Sequence, residues 1–87
     1  MAEYQRQKTI VGPDGRPLTI ADLPPSYQRR WTPLRKAKVV VAVQGGLIST
    51  EEVIRRYKLT TEEFIGWRKA LEIGGIDALR ITRIKRQ

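Results

Sequence analysis

Between Ser49 and Ile73 the chain reads STEEVIRRYKLTTEEFIGWRKALEI, two amphipathic segments separated by three residues. Each segment opens with the same signal. Ser49 stands three residues before Glu52, and Thr60 three before Glu63. That is the spacing of a capping box, in which the hydroxyl accepts from the N3 amide and the carboxylate reaches back to the cap's own N–H. Lys58-Leu59-Thr60 leaves room only for a tight corner. A helix from about Thr50 to Tyr57, the corner, and a longer helix from about Thr61 to Ile73 together read as a helix-turn-helix.

The apolar spacing completes a core around this motif. Val53, Ile54 and Tyr57 form the inner stripe of the shorter helix, with Arg55, Arg56 and Lys58 facing outward. Phe64, Trp67 and Leu71 share one face of the longer helix at i, i+3 and i+7, leaving Thr61, Glu62, Ile65, Gly66, Arg68, Lys69 and Glu72 outside. A further helix lies upstream. Thr32 and Pro33 supply its N-cap and first helical residue, and Gly45-Gly46 ends it with one glycine in the left-handed conformation. Its Leu34, Ala37, Val40 and Val41 fall on one face. Trp31 and Trp67 read as core anchors rather than base-stacking platforms.

Ahead of the helices, Thr9-Ile10-Val11 and Leu18-Thr19-Ile20 are short β-prone runs on either side of Gly-Pro-Asp-Gly-Arg-Pro. Pro13-Asp14-Gly15 is turn chemistry, so a hairpin is expected, with Pro17 confining its strand to an edge. The hairpin reads as a structural flap over the helices, and Asp22-Leu23-Pro24-Pro25 as extended chain. The expected fold is therefore mainly α, a three-helix core containing a helix-turn-helix with a small N-terminal β-hairpin. Residues 1–8 read as a flexible tail, 9–31 as hairpin and extended lead-in, 32–75 as the helix-turn-helix core, and 76–87 as a basic C-terminal arm. That arm carries Arg80, Arg83, Lys85 and Arg86, and its pattern fits a strand and a helix about equally.

Charge and composition bound the function. The 87 residues carry a formal charge of +8 and suit one domain that is marginal on its own. Such an imbalance favours nucleic acid, an anionic membrane or an acidic protein face as partner. With no cysteine and no histidine, the sequence has no disulfide, no zinc site of the Cys/His type, no thiol nucleophile and no imidazole base. Val39 to Val43 is the longest apolar run, well short of a bilayer span. The carboxylates sit in capping positions, and no phosphate-cradling loop is present. These features point to a non-catalytic cytoplasmic protein that uses no cofactor, metal or small-molecule substrate.

One local contradiction marks a candidate contact. Arg35, Lys36 and Lys38 crowd the first turns of the upstream helix, where the helix dipole disfavours cations by roughly 0.3–1 kcal/mol each. The other two helices obey the rule, with Glu51-Glu52 and Glu62-Glu63 in their first turns. The cluster reads equally as a site awaiting an anion and as a solvated basic face. Reversing all three to Glu is expected to leave the fold intact and abolish partner binding. On the helix-turn-helix itself, Arg68 or Lys69 is placed to meet guanine or phosphate, and Thr61 or Ile65 a thymine methyl, while Glu62 opposes phosphate contact.

Four segments in order, GPDGRPLTIADLPP, RRWTPLRKAKVVVAVQGGLIS, EEVIRRYKLTTEEFIGWRKAL and ALRITRI, resemble the SciP family of small alphaproteobacterial proteins. The resemblance runs from about Thr9 to Ile84; the central part alone more weakly resembles the transposase and Trp-repressor-like helix-turn-helix group. The resemblance implies a transcriptional repressor without catalysis, which binds the response regulator CtrA and blocks its activation of RNA polymerase. It also implies double-stranded DNA as a further proposed partner. Arg35, Lys36 and Lys38 lie in the family's RKA segment, and the longer helix of the motif in its EEFxxW segment. The composite candidate surface is thus Arg35, Lys36, Lys38, Arg55, Arg56, Lys58, Thr61, Ile65, Arg68 and Lys69.

Overall fold

The computed structural model describes residues 8–27 and 30–81. Two short antiparallel strands, β1 (Ile10–Val11) and β2 (Pro17–Leu18), pair with Ile10 opposite Leu18 and Val11 opposite Pro17. A 3-10 turn over Ile20–Asp22 follows, then α1 (Pro33–Gln44), α2 (Thr50–Tyr57), α3 (Thr61–Ala78) and a second 3-10 turn over Leu79–Ile81. The mainly helical fold with a small hairpin is the one the spacing predicts. The predicted tail lies outside the described residues except for Lys8, as do Thr82–Gln87 of the arm.

Local chemistry accounts for the helix starts. Thr32, Ser49 and Thr60 are extended at ψ 161° and each accepts the N3 amide through its hydroxyl. Only Thr60 completes the box, its own N–H donating to Glu63 Oε1 at 2.8 Å. Ser49 accepts from the Glu52 amide, but Glu52 turns its carboxylate toward Arg55 instead. The corner is closed by Lys58 at φ 57° and by Leu59, which is buried. α1 ends as expected, with Gly46 in the left-handed conformation. Gly45 has a different role: a Cβ there would come within 2.5 Å of Ile10 Cδ1, so its missing side chain lets the hairpin lie against the end of α1.

Three expectations need correction. First, the strand predicted over Leu18-Thr19-Ile20 ends at Leu18. Thr19 and Asp22 form a capping box of their own, so Asp22 belongs to a 3-10 turn and not to extended chain. Second, the N-terminal region is more than a flap, because Leu18 of the hairpin and Leu23 after it are part of the core and Tyr57 Oη donates to the Pro24 carbonyl. Third, α1 is buried on a wider face than its Leu34, Ala37, Val40 and Val41 spacing implies. Lys36, Ala37, Val39, Val40 and Ala42 are buried, whereas Leu34 and Val41 are only partly covered. α1 is the central helix, packed by α2, α3, and the C-terminal turn, so more than one stripe must be apolar.

The aromatics meet around α1. The Trp31 ring lies 5.1 Å from Tyr57, edge to face, and 5.0 Å from Trp67, separations at which such pairs add to area burial. Trp67 and Phe64 are each 1% exposed. α3 breaks at Gly75, whose φ of 73° and ψ of −162° are non-helical. The predicted stop at Gly74-Gly75 is thus a kink. The following residues remain helical, fold back, and bury Leu79 completely. Of the two patterns open for this segment, the helical one holds through Ile81.

Candidate functional site

Two of the three cations of α1 donate to backbone carbonyls within the fold. Lys36 is 5% exposed; its Nζ donates to the Leu79 carbonyl at 3.2 Å and lies 5.6 Å from the centre of the Trp67 ring. Burial pushes the Lys36 ammonium below the ordinary lysine pKa, since the charged form is the one that loses hydration. Lys38 is half-buried and its charge acts on Asp22. That carboxyl is held below its usual range first by the Thr19 backbone N–H, then by the Thr19 hydroxyl, with Lys38 adding a smaller share. Arg35 is exposed, and its Nη1 donates to the Arg30 carbonyl at 3.0 Å. The three residues therefore do not form one outward cluster. Lys36 is a core residue, so the expected fold-neutral reversal of all three is incorrect for it.

The helix-turn-helix presents its cations differently. Arg55 is exposed and makes only a 3.5 Å contact with Glu52 one turn back. Lys58 is exposed at the corner. Arg56 is half-buried, its guanidinium 5.6 Å over the Tyr57 ring and its Nε shielded from water. It is a packing residue as much as a surface cation. Burial raises the Tyr57 pKa, and the neighbouring Arg56 charge partly opposes that shift.

On α3, Thr61, Arg68 and Lys69 are exposed and Ile65 is half-buried. Thr61, Ile65 and Arg68 recur at i, i+4 and i+7 and so share one face, with Lys69 beside it. Glu62 and Glu72 are exposed on the same helix. The outer side of α3 is accordingly mixed in sign, with one partly covered aliphatic among polar residues. Ile73, nearer the kink, is 85% exposed.

Glu63, read from the sequence as the capping partner of Thr60, is buried by that bond. Sequence reasoning missed two other contributors. Asp22 was readable from the Thr-x-x-Asp spacing. Leu79 sits 43 positions from Lys36, and no local signal announces that pairing. Among the described residues, no group of three or more acidic, Cys or His side chains is arranged to hold a metal. No helix among them is long and apolar enough to cross a membrane.

A solved structure of a Rhodobacter sphaeroides protein, determined in solution by NMR, is 43% identical; the match covers 86% of this chain and 87% of that one, with a TM-score of 0.65. A second solution NMR structure, a structural-genomics target, is 46% identical over 85% of this chain and 73% of that one, with a TM-score of 0.60. Comparison with curated proteins found no match. Residues 2–87 match a family described as a protein of unknown function, DUF1153. With the match spanning nearly the whole sequence and relatives at this identity sharing the fold, the chain belongs to the DUF1153 family.

Proposed function

We infer that this chain is a non-catalytic transcriptional repressor that docks its helix-turn-helix on a response regulator of the CtrA type and blocks activation of transcription. The observation that carries this reading is the mixed charge of the α3 surface. Arg68 and Lys69 are exposed there together with Glu62 and Glu72, around a half-buried Ile65. A surface built to follow a phosphate backbone gains from uniform positive charge, whereas alternating charges around an aliphatic suit a protein face. The resemblance of the segments from Thr9 to Ile84 to the SciP family supports the same reading.

Direct reading of DNA is the second possibility, favoured by Thr61 and Ile65 at the N-terminal half of α3, the part of a recognition helix that enters the major groove. A chemical-shift titration separates the two. Labelled protein is titrated with a CtrA-type regulator and, separately, with specific and scrambled duplexes at low and moderate salt. The expected result is perturbation of Ile65, Arg68 and Lys69 by the regulator, persisting at moderate salt. Duplex binding through phosphates instead falls with a log–log salt slope of about −0.9 per phosphate neutralised. Absence of any perturbation by the regulator overturns the first reading, and absence of duplex binding at low salt overturns the second.

A further inference from the structure

Six of the seven glycines have a reason within the fold, and Gly66 has none. Gly15, Gly46 and Gly75 hold positive φ, and a Cβ at Gly12, Gly45 or Gly74 would come to 3.0 Å or closer to a neighbouring atom. Gly66 lies on helical backbone inside α3, and nothing stands within 4 Å of a Cβ placed there. Glycine is among the poorest residues for a helix interior, so neither propensity nor packing accounts for it. Its position is the outermost side of α3. Glu62, Ile65, Gly66, Lys69 and Ile73 recur at i, i+3, i+4, i+7 and i+11, opposite the buried Phe64 and Trp67. Ile65 is half-buried and Ile73 is 85% exposed. Glu62 and Lys69 are both exposed, and among the described residues neither side chain has a hydrogen-bond or ion-pair partner.

We propose that this ridge is a self-association face, across which a second copy lays its own α3 antiparallel, with the two-fold axis passing between Ile65 and Gly66. Around such an axis, residue i of one copy meets residue j of the other, and j meets i. Glu62 of each copy then faces Lys69 of the other, and each Ile65 enters the gap that the opposite Gly66 leaves open. At about 1.5 Å of rise per residue, the two charged pairs lie about 5 Å to either side of the axis. The bare backbone at Gly66 lets the helix axes approach to about 8 Å, the near end of the range for packed helices. The ridge complements itself in charge and in shape, and that selects a second copy as its occupant. A single helix crossing buries less than the roughly 1,200 Å² of a stable interface. Each chain also carries +8, so copies repel at a distance. Pairing is therefore weak, and it forms at high concentration where salt screens that repulsion. Ile65 and Lys69 belong to the docking surface proposed above, so pairing would withhold them from a regulator; the pairing itself does not rest on that reading.

Sedimentation equilibrium of the full chain at moderate salt, from about 10 µM to about 1 mM, tests the pairing. The average mass is expected to rise with concentration from 10.0 kDa toward twice that value. Glu62→Lys and Lys69→Glu, each alone, should weaken association at least about tenfold, because like charges then face each other at both pairs. An equimolar mixture of these two variants should associate again, since every facing pair between them is opposite in sign. Gly66→Leu should fill the gap and weaken association by a similar factor, while its thermal midpoint at low concentration stays at or above that of the unmodified chain. A mass of 10.0 kDa at every concentration overturns the proposal. So does unchanged association in either charge variant or in Gly66→Leu, or a mixture that stays monomeric.

Discussion

α1 carries three cations and the α2–α3 motif five, and the two place them differently. On α1, Lys36 is bonded to the Leu79 carbonyl, Lys38 acts on Asp22, and Arg35 is tied to Arg30. On α2 and α3, Arg55, Lys58, Arg68 and Lys69 face solvent. In the helix that breaks the dipole rule, Lys36 and Arg35 donate to backbone carbonyls, whereas four of the five cations of the motif are exposed and Arg56 alone is half-buried. A basic cluster in a sequence is therefore a question about tertiary partners before it is evidence for a ligand.

The sharpest way to break this contrast is to reverse Lys36 alone. Lys36→Glu would set a buried carboxylate beside a backbone carbonyl and the negative face of an indole; a loss of about 3–5 kcal/mol is expected, enough to unfold a small domain. Lys36→Met should stay within about 1 kcal/mol, because removing a buried charge also removes its desolvation cost. Denaturant unfolding of the two variants checks both values. Equal, small losses would mean that Lys36 is not inside.

The Lys36 ammonium also gives a sign for pH. Its folded pKa is lowered from 10.5, so in the window between that folded value and 10.5 the unfolded chain holds a proton that the folded chain has released. Stability attributable to Lys36 must therefore rise with pH across that window. The difference between the unmodified protein and Lys36→Met isolates it. Tyr57 pulls the other way, since its raised pKa costs stability as pH climbs past 10.0, but it contributes to both proteins and cancels.

Smaller effects sharpen the comparison further. Tyr57→Phe leaves the buried Pro24 carbonyl without the Tyr57 donor and should cost about 1–3 kcal/mol. Thr60→Ala should cost about 1 kcal/mol, and Ser49→Ala less, because Ser49 forms only half of its box. Thermal or urea unfolding ranks all three. At the small end, Arg68→Glu combined with Lys69→Glu should shift stability by no more than about 0.5 kcal/mol per site. It should nonetheless weaken partner binding. A large stability loss there would place these side chains in packing, contrary to their exposure.

How much of this was legible follows the range of each interaction. Helix starts at Thr32, Ser49 and Thr60 are set by partners three residues away, so the sequence displays them. The inward placement of Phe64 and Trp67 follows from helical periodicity in the same way. Lys36 was misplaced because its acceptor belongs to a turn that returns from the far end of the chain. Val39 and Ala42 fall outside the single apolar stripe that the spacing defines, and they are buried because the helix is covered on several sides. Of the candidate surface, the α3 positions are exposed as expected except for the half-buried Ile65. The α1 cluster dissolves into three separate environments.

The elbow between α2 and α3 has a final implication. Lys58 holds a positive φ that costs an L-residue roughly 1–2 kcal/mol, and glycine is the sterically easy occupant of such a helix end. The chain instead keeps a long aliphatic amine at its sharpest bend, on the outside of the molecule. Lys58→Gly is then a conformational relief and a chemical deletion in one step, and any protein or nucleic acid that approaches this bend should notice the missing amine although the fold does not.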